Sequence, residues 1–303
     1  MESVIGIDIG GTNIRVGLID DRLNLIRKET ALTDDFNSID ELFRYLLEMI
    51  EKVNERESAN KIGIALPIPW RGGTERLYDA TNISYLEGFG VRDIPDYFPG
   101  YGVYLENDVN VVAILESAFG ASKEYANSMY ITVSTGIGSG VILNNEIYHG
   151  AHGYAGEVGS IIISDSKTHL SVDIEGSLES LCIGAALEKV SKSLFGHDAN
   201  AKLLFEKQQE GDVLAVEVIE QWIDYFSRGI ASLFHSLDPD VIVLGGSVIQ
   251  NNQWLIQRIE ESAKNRVLLN LKDKVKILIS RFGDDAGLIG AGYVALKKST
   301  GGK

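Results

Sequence analysis

The sequence predicts an α/β protein built by duplication, two lobes of one plan with a central cleft. Three observations carry the prediction. The 303 residues exceed what a single hydrophobic core usually organises. A meander of three short strands followed by alternating helical and strand patterns occurs twice, first from Val4 and again from Met129. Both copies carry a glycine-rich turn between their first two strands, Gly10-Gly11 in one and Gly136-Ile137-Gly138 in the other, and share little sequence beyond it.

The elements follow in order. Val4 to Ile9, Asn13 to Ile19 and Leu23 to Thr30 are alternating or continuously apolar runs, broken by Gly10-Gly11 and Asp20-Asp21, and read as strands. From about Ser38 to Val53, the apolar residues Leu42, Leu46, Ile50 and Val53 recur at helical spacing, and Lys61 to Leu66 is a buried-strand pattern. A second helix runs from near Asp108 to Gly120. The second copy opens with strands at Met129 to Ser134, Gly138 to Leu143 and Glu146 to Tyr148. A long helix ending near Leu237, the strand Val241 to Leu244, a helix from near Asn252, the strand Val275 to Ser280 and a last helix from about Asp284 complete it. The stretch 150–176 lacks periodicity, and its length suggests function. The expected division is an N-terminal lobe, 1–120, completed by the C-terminal helix at about 284–303, and a C-terminal lobe, 121–283.

Composition narrows the function. With 45% hydrophobic and 23% charged residues, long disorder is not expected. A formal charge of −15 without a Lys/Arg cluster opposes binding to nucleic acid or to an anionic membrane. Phosphate must then be met locally, by backbone N–H groups, helix N-termini and a metal ion. The single cysteine, Cys182, excludes an intramolecular disulfide and a multi-cysteine zinc site, and reads as a small apolar residue on a helix. No signal peptide or membrane-length apolar run is recognisable, so a cytoplasmic protein is expected.

Several motifs bear chemistry. In Asp8-Ile9-Gly10-Gly11-Thr12-Asn13 the glycines allow a tight turn that presents N–H groups to an anion, and Thr12 and Asn13 add side-chain donors. Alone this reads rather as a plain hairpin turn; Asp8, a carboxylate ending a buried strand, shifts the reading, because it calls for a metal or strong donors. The second copy supplies Thr135, Gly136 and Gly138 in STGIGSG, where a strand follows rather than the helix a dinucleotide fingerprint needs. Gly245-Gly246 follows a strand and precedes a helix, suiting an adenosine moiety or an ordinary loop. Asp108, in Glu106-Asn107-Asp108-Val109-Asn110, reads alone as a helix N-cap, or else as a carboxylate that orients a hydroxyl and accepts its proton. Glu157, between glycines in AGEVG, and Glu179 suit paired acceptance from sugar hydroxyls.

Together, DIGGTN, GIALP, ENDVN, STGIGSG, HGYAGEVG and LGGS resemble, in that order and over essentially the whole chain, the ROK family of sugar kinases and regulators. The resemblance implies the duplicated ribonuclease-H-like fold of the actin/hexokinase-like ATPases. It also implies an ATP-dependent sugar kinase acting on a hexose hydroxyl, most simply the 6-hydroxyl. By the same resemblance Asp108 is the catalytic base, and Asn82, Asn107, Glu157 and Glu179 contact the sugar. Asp8 organises Mg²⁺ through water, and Gly10, Gly11, Thr12, Asn13, Thr135, Gly136, Gly138, Gly245 and Gly246 form the ATP site. A homodimer is implied as well.

One departure stands out. Many relatives hold zinc through a histidine and three cysteines, where this chain has Ser160 and Leu170, Val172 and Ser177. No zinc is expected there. The shorter Ser160 leaves room at the sugar's reducing end, as in zinc-free members that act on N-acetylmannosamine or β-glucosides. The competing classes are a sugar-responsive regulator, against which only seven residues precede Asp8, and a non-sugar actin-like ATPase.

Overall fold

The computed structural model describes residues 2–80, 83–165 and 174–299. It divides into two compact units: unit 1 comprises Met1–Ala118, Ile147–Ala155 and Phe282–Lys303, and unit 2 comprises Phe119–Glu146 and Gly156–Arg281. The expected boundaries placed 147–155 in the second lobe, but this segment packs with unit 1.

Unit 1 begins with β1 (Ser3–Ile9), β2 (Asn13–Asp20) and β3 (Leu25–Leu32). The third strand starts two residues later than its apolar run suggests, because Leu23 lies in the left-handed region at φ 65° and belongs to the turn. Helix α1 (Ile39–Asn54) is capped by Ser38, whose hydroxyl accepts from the Glu41 amide, and it buries Leu42, Leu46, Ile50 and Val53 as its spacing predicts. Then come β4 (Lys61–Leu66), β5 (Gly102–Asn107) and α2 (Asp108–Phe119). The sheet order is β3-β2-β1-β4-β5, with β1 antiparallel to β2 and parallel to β4, and β4 parallel to β5.

Unit 2 repeats the plan. It contains β6 (Ser128–Val133), β7 (Ile137–Leu143) and β8 (Glu146–Ile147), then the helices α3 (Leu178–Cys182), α4 (Gly184–Phe195), α5 (Ala201–Gln209) and α6 (Val213–Leu237). After these come β9 (Val241–Gly245), α7 (Ser247–Gln250), α8 (Leu255–Lys264) and β10 (Ile277–Ile279). Its sheet order is β10-β9-β6-β7-β8, which read backwards matches the first sheet strand for strand. The pairing senses also agree, β6 being antiparallel to β7 and parallel to β9, and β9 parallel to β10. Each unit has its own core, one around Ile5, Ile7, Leu46 and Ile64, the other around Ile131, Trp222, Phe226 and Leu244.

The last helix, α9 (Ala286–Ser299), returns to unit 1 and lies against β1 and β4. Glycine makes that approach possible. A Cβ at Gly63 would fall 1.8 Å from the Ala291 carbonyl oxygen, and one at Gly6 would fall 2.3 Å from that of Leu288. Backbone meets backbone where any side chain would intrude.

Candidate active site

Unit 1 gathers its predicted residues at one edge of its sheet. Because β1, β4 and β5 are parallel, their carboxyl ends lie together, and the pairing register sets Asp8, Ala65 and Glu106 in one row. The Gly10–Asn13 turn and the Asn107-Asp108 pair thus flank the same edge. The Gly10 amide donates to the Asn13 carbonyl (3.0 Å), Thr33 Oγ1 to the Gly10 carbonyl (2.6 Å), and the Thr33 amide to the Thr12 carbonyl (3.0 Å). These bonds draw the turn's carbonyls inward while Gly11 and Thr12 stay exposed, a geometry suited to presenting amides to an anion.

Asp8 is 15% exposed and faces Arg15 across the hairpin, with Nη1 3.4 Å from Oδ2. Burial raises its carboxyl above the ordinary value; Arg15 works against that rise and Asp285 adds to it. Asp285 itself is held by Lys28 Nζ at 2.8 and 2.9 Å. Among the described residues no group of three or more His, Cys, Asp or Glu is placed to hold a metal. A largely buried carboxylate beside the Gly10–Asn13 turn is suited to holding Mg²⁺ through a bound water.

At the β5–α2 junction the cap is Asn107, not Asp108. Asn107 Oδ1 accepts from the amides of Val109 (2.9 Å) and Asn110 (3.0 Å), the pattern of an N-cap side chain. Asp108 is therefore the first helical residue. Its Oδ1 accepts from the Val109 amide (2.9 Å) and from Asn107 Nδ2 (3.1 Å), two donors that favour negative charge at a helix N-terminus. Asn107 Nδ2 also donates to the Ile68 carbonyl (3.0 Å), tying the pair to the segment after β4.

Unit 2 gathers the second set. Thr132 pairs with Gly245, so the Ser134–Ile137 turn and Gly245-Gly246 share one edge of the sheet. Gly246 has φ 84°, and a Cβ there would lie 2.4 Å from the Val133 carbonyl oxygen. Beside this edge is a cavity of about 690 Å³, within the size range of ligand pockets. Ser134 and Thr135, the start of α4 at Gly184-Ala185, Phe205, and Ser247 of α7 line it.

Glu179 lies behind the turn. Its Oε2 accepts from the Ile137 amide (2.9 Å). Glu157 is exposed on a segment laid directly over β7: Ser139 Oγ donates to the Gly156 carbonyl (2.7 Å), and a Cβ at Gly156 would be 2.4 Å from the Ser139 carbonyl oxygen. Ser160 is exposed, and Ser177 caps α3. Asn82, Leu170 and Val172 lie outside the described residues. Cys182 is fully buried, its thiol pushed well up by burial, and its carbonyl accepts from Trp222 Nε1 (2.9 Å).

The model of the ROK family matches residues 4–298. The chain belongs to the ROK family. Its fold is the duplicated ribonuclease-H-like plan of the actin/hexokinase-like ATPases, and a ROK hexokinase from Thermus thermophilus superposes with a TM-score of 0.83 at 30% identity, covering 98% of this chain and 99% of that one. A ROK family glucokinase from Streptomyces griseus, solved with glucose and AMPPNP, shares the fold at a TM-score of 0.82 and 24% identity over 97% and 99% of the two chains. In sequence, this ROK chain is 26% identical to a glucokinase of Thermotoga maritima over 99% of its own length and 98% of the other's. It is 27% identical to an N-acetyl-D-glucosamine kinase of Vibrio atlanticus over 96% and 99%.

Sequence reasoning missed three interactions around the candidate site. Arg15 was within reach, since a turn at Gly10–Asn13 sets Asp8 opposite Arg15 in the register. Thr33 had no such signal. The third is a carboxylate–imidazole pair: Glu106, 3% exposed, receives His149 Nε2 at 2.9 and 3.1 Å from its two oxygens.

Proposed function

We propose that this ROK protein is an ATP:sugar phosphotransferase that phosphorylates a hexose or hexose derivative, most simply at the 6-hydroxyl. The observation that carries the reading is Asp108, fixed by the Asn107 amide and the Val109 N–H at the sheet edge that also bears the Gly10–Asn13 turn. The names of the glucokinase and N-acetylglucosamine kinase relatives support it.

In the proposed reaction Asp108 accepts the proton of the sugar hydroxyl, whose oxygen attacks the γ-phosphorus as the bond to ADP breaks. The amides of Gly11 and Thr12 and those of the Thr135-Gly136 turn cradle phosphate oxygens. The 690 Å³ cavity beside Ser247 takes the adenosine. Mg²⁺, when bound, neutralises phosphate charge; Asp8 would hold it through water. Asn107, Glu157 and the remaining Glu179 oxygen orient hydroxyls, each carboxylate oxygen being an acceptor. No helix of the described residues is long and apolar enough to cross a membrane, and a cytoplasmic homodimer is the proposed setting.

Ser160, exposed three residues after Glu157, is proposed to leave room for a substituted or larger sugar. A panel of glucose, N-acetylglucosamine, N-acetylmannosamine, allose, fructose and cellobiose, read by ADP release, tests this. The expected result is a kcat/KM for an N-acetylhexosamine or the β-glucoside at least about tenfold above that for glucose. Strict preference for glucose would contradict it.

A further inference from the structure

Glu106, a buried carboxylate, and His149, a partly exposed imidazole, form a pair beside Asp108, and their bonds lead to it. Glu106 Oε1 accepts from the Asn107 amide (3.0 Å) and from Asn110 Nδ2 (3.0 Å), and Asn110 is itself buried. Asn107 Oδ1 in turn holds the Val109 and Asn110 amides, and Asn107 Nδ2 donates to Asp108 Oδ1. The far oxygen of Glu106, Oε2, has His149 Nε2 as its donor at 2.9 Å. A carboxylate only accepts, so Nε2 carries the hydrogen.

His149 comes from a segment 43 residues away in sequence. That segment is fastened to unit 1 at two further points: Gly153 lies on the Trp70 backbone, where a Cβ would be 3.1 Å from the Trp70 carbonyl carbon, and the Tyr154 hydroxyl donates to the Asp79 carboxylate. The imidazole is 24% exposed, so replacing it opens no core cavity. What its loss leaves is a buried carboxylate oxygen without its donor, on the residue that clamps the cap of α2.

We propose that His149, acting through Glu106, is a positioning residue for Asp108. The inference rests on the reading of Asp108 as base. Removing the imidazole frees Glu106 to turn toward water, and the Asn107–Asn110 turn shifts with it. Asp108 is then displaced from the hydroxyl and Asn107 moves with it, while the ATP-binding groups, Glu157 and Glu179 remain.

The test is steady-state kinetics on the sugar that the panel selects, with melting temperatures recorded for each variant. His149→Ala is expected to lower kcat by about 10- to 100-fold, a displacement effect, with the KM for ATP within about threefold of the parent and any change in the sugar KM smaller than the loss in kcat. His149→Gln, whose amide can still donate to Glu106, is expected to recover most of that loss. Glu106→Ala, which removes the acceptor of the imidazole and of the Asn107 and Asn110 donors, is expected to lose at least as much as His149→Ala, and the double variant is expected to be no slower than Glu106→Ala. An unchanged kcat in His149→Ala, equal loss in His149→Ala and His149→Gln, or additive losses in the double variant would each overturn the inference. Asp108→Asn separates the two claims. If that variant turns over normally, the base reading fails; if it is inactive while His149→Ala is normal, only the positioning role fails.

Discussion

Asp108→Asn is expected to abolish phosphoryl transfer while the sugar still binds. The substitution keeps the size of the side chain, and its Oδ1 can still accept from the Val109 amide and Asn107 Nδ2, as the aspartate does at 2.9 and 3.1 Å. What it removes is the capacity to take a proton. General-base contributions of this kind reach about 10²- to 10⁴-fold, so kcat should fall by at least about 10³-fold, or roughly 4 kcal/mol of transition-state stabilisation. The sugar's dissociation constant, measured by calorimetry, should stay within about threefold, since the lost interaction belongs to the transition state. Near-normal turnover would remove Asp108 from its role.

A second large effect is expected far from the chemistry. Gly63→Ala places a Cβ 1.8 Å from the Ala291 carbonyl oxygen and 2.6 Å from its carbon, both of them backbone atoms of α9. No rotamer change relieves such a contact; α9 itself must move off the sheet. A loss of about 3 kcal/mol or more in unfolding free energy is expected from a urea titration. Gly72→Ala is the control, because a Cβ there meets nothing within 4 Å and should cost no more than about 0.5 kcal/mol. Equal stability of the two variants would mean that α9 does not depend on the bare Gly63 surface.

Most of the fold is written in local signals. The hairpin of β1 and β2 shows as two apolar runs around Gly10-Gly11, and α1 shows as a stripe from Leu42 to Val53 with Ser38 before it. The duplication is legible because both copies repeat that opening, and the two sheets pair alike. What stayed hidden is non-local or weakly patterned. Strand β5 was overlooked: its burial rises from an exposed Gly102 to a buried Leu105-Glu106, and a polar end next to a helix cap hides a six-residue strand. Yet β5 is what carries Asn107 and Asp108 to the sheet edge.

The site shows the same division. Residue types around Asp8, Asp108 and the glycine turns could be read from motifs, because each motif is a contiguous turn or cap. The division of labour at ENDVN could not: Asn107 caps the helix and frees Asp108 from that duty, which depends on where α2 begins. Glu106 gave no sign of burial in the sequence, since its partner His149 is distant and sits in a stretch without periodicity. Glu179, read as a sugar contact, also bonds the Ile137 amide in the second turn, a link across 42 residues that only the folded chain makes.

The most direct test of a sugar kinase is stoichiometry. The protein is incubated with Mg-ATP and a limiting amount of its preferred hexose, and ADP and sugar phosphate are quantified together by phosphorus NMR. The expected result is one ADP per sugar phosphate, with ADP production ceasing when the hexose is exhausted. ADP released at the same rate without any sugar, and no phosphorylated sugar in the product, would contradict it and identify a nucleotide hydrolase on the same fold.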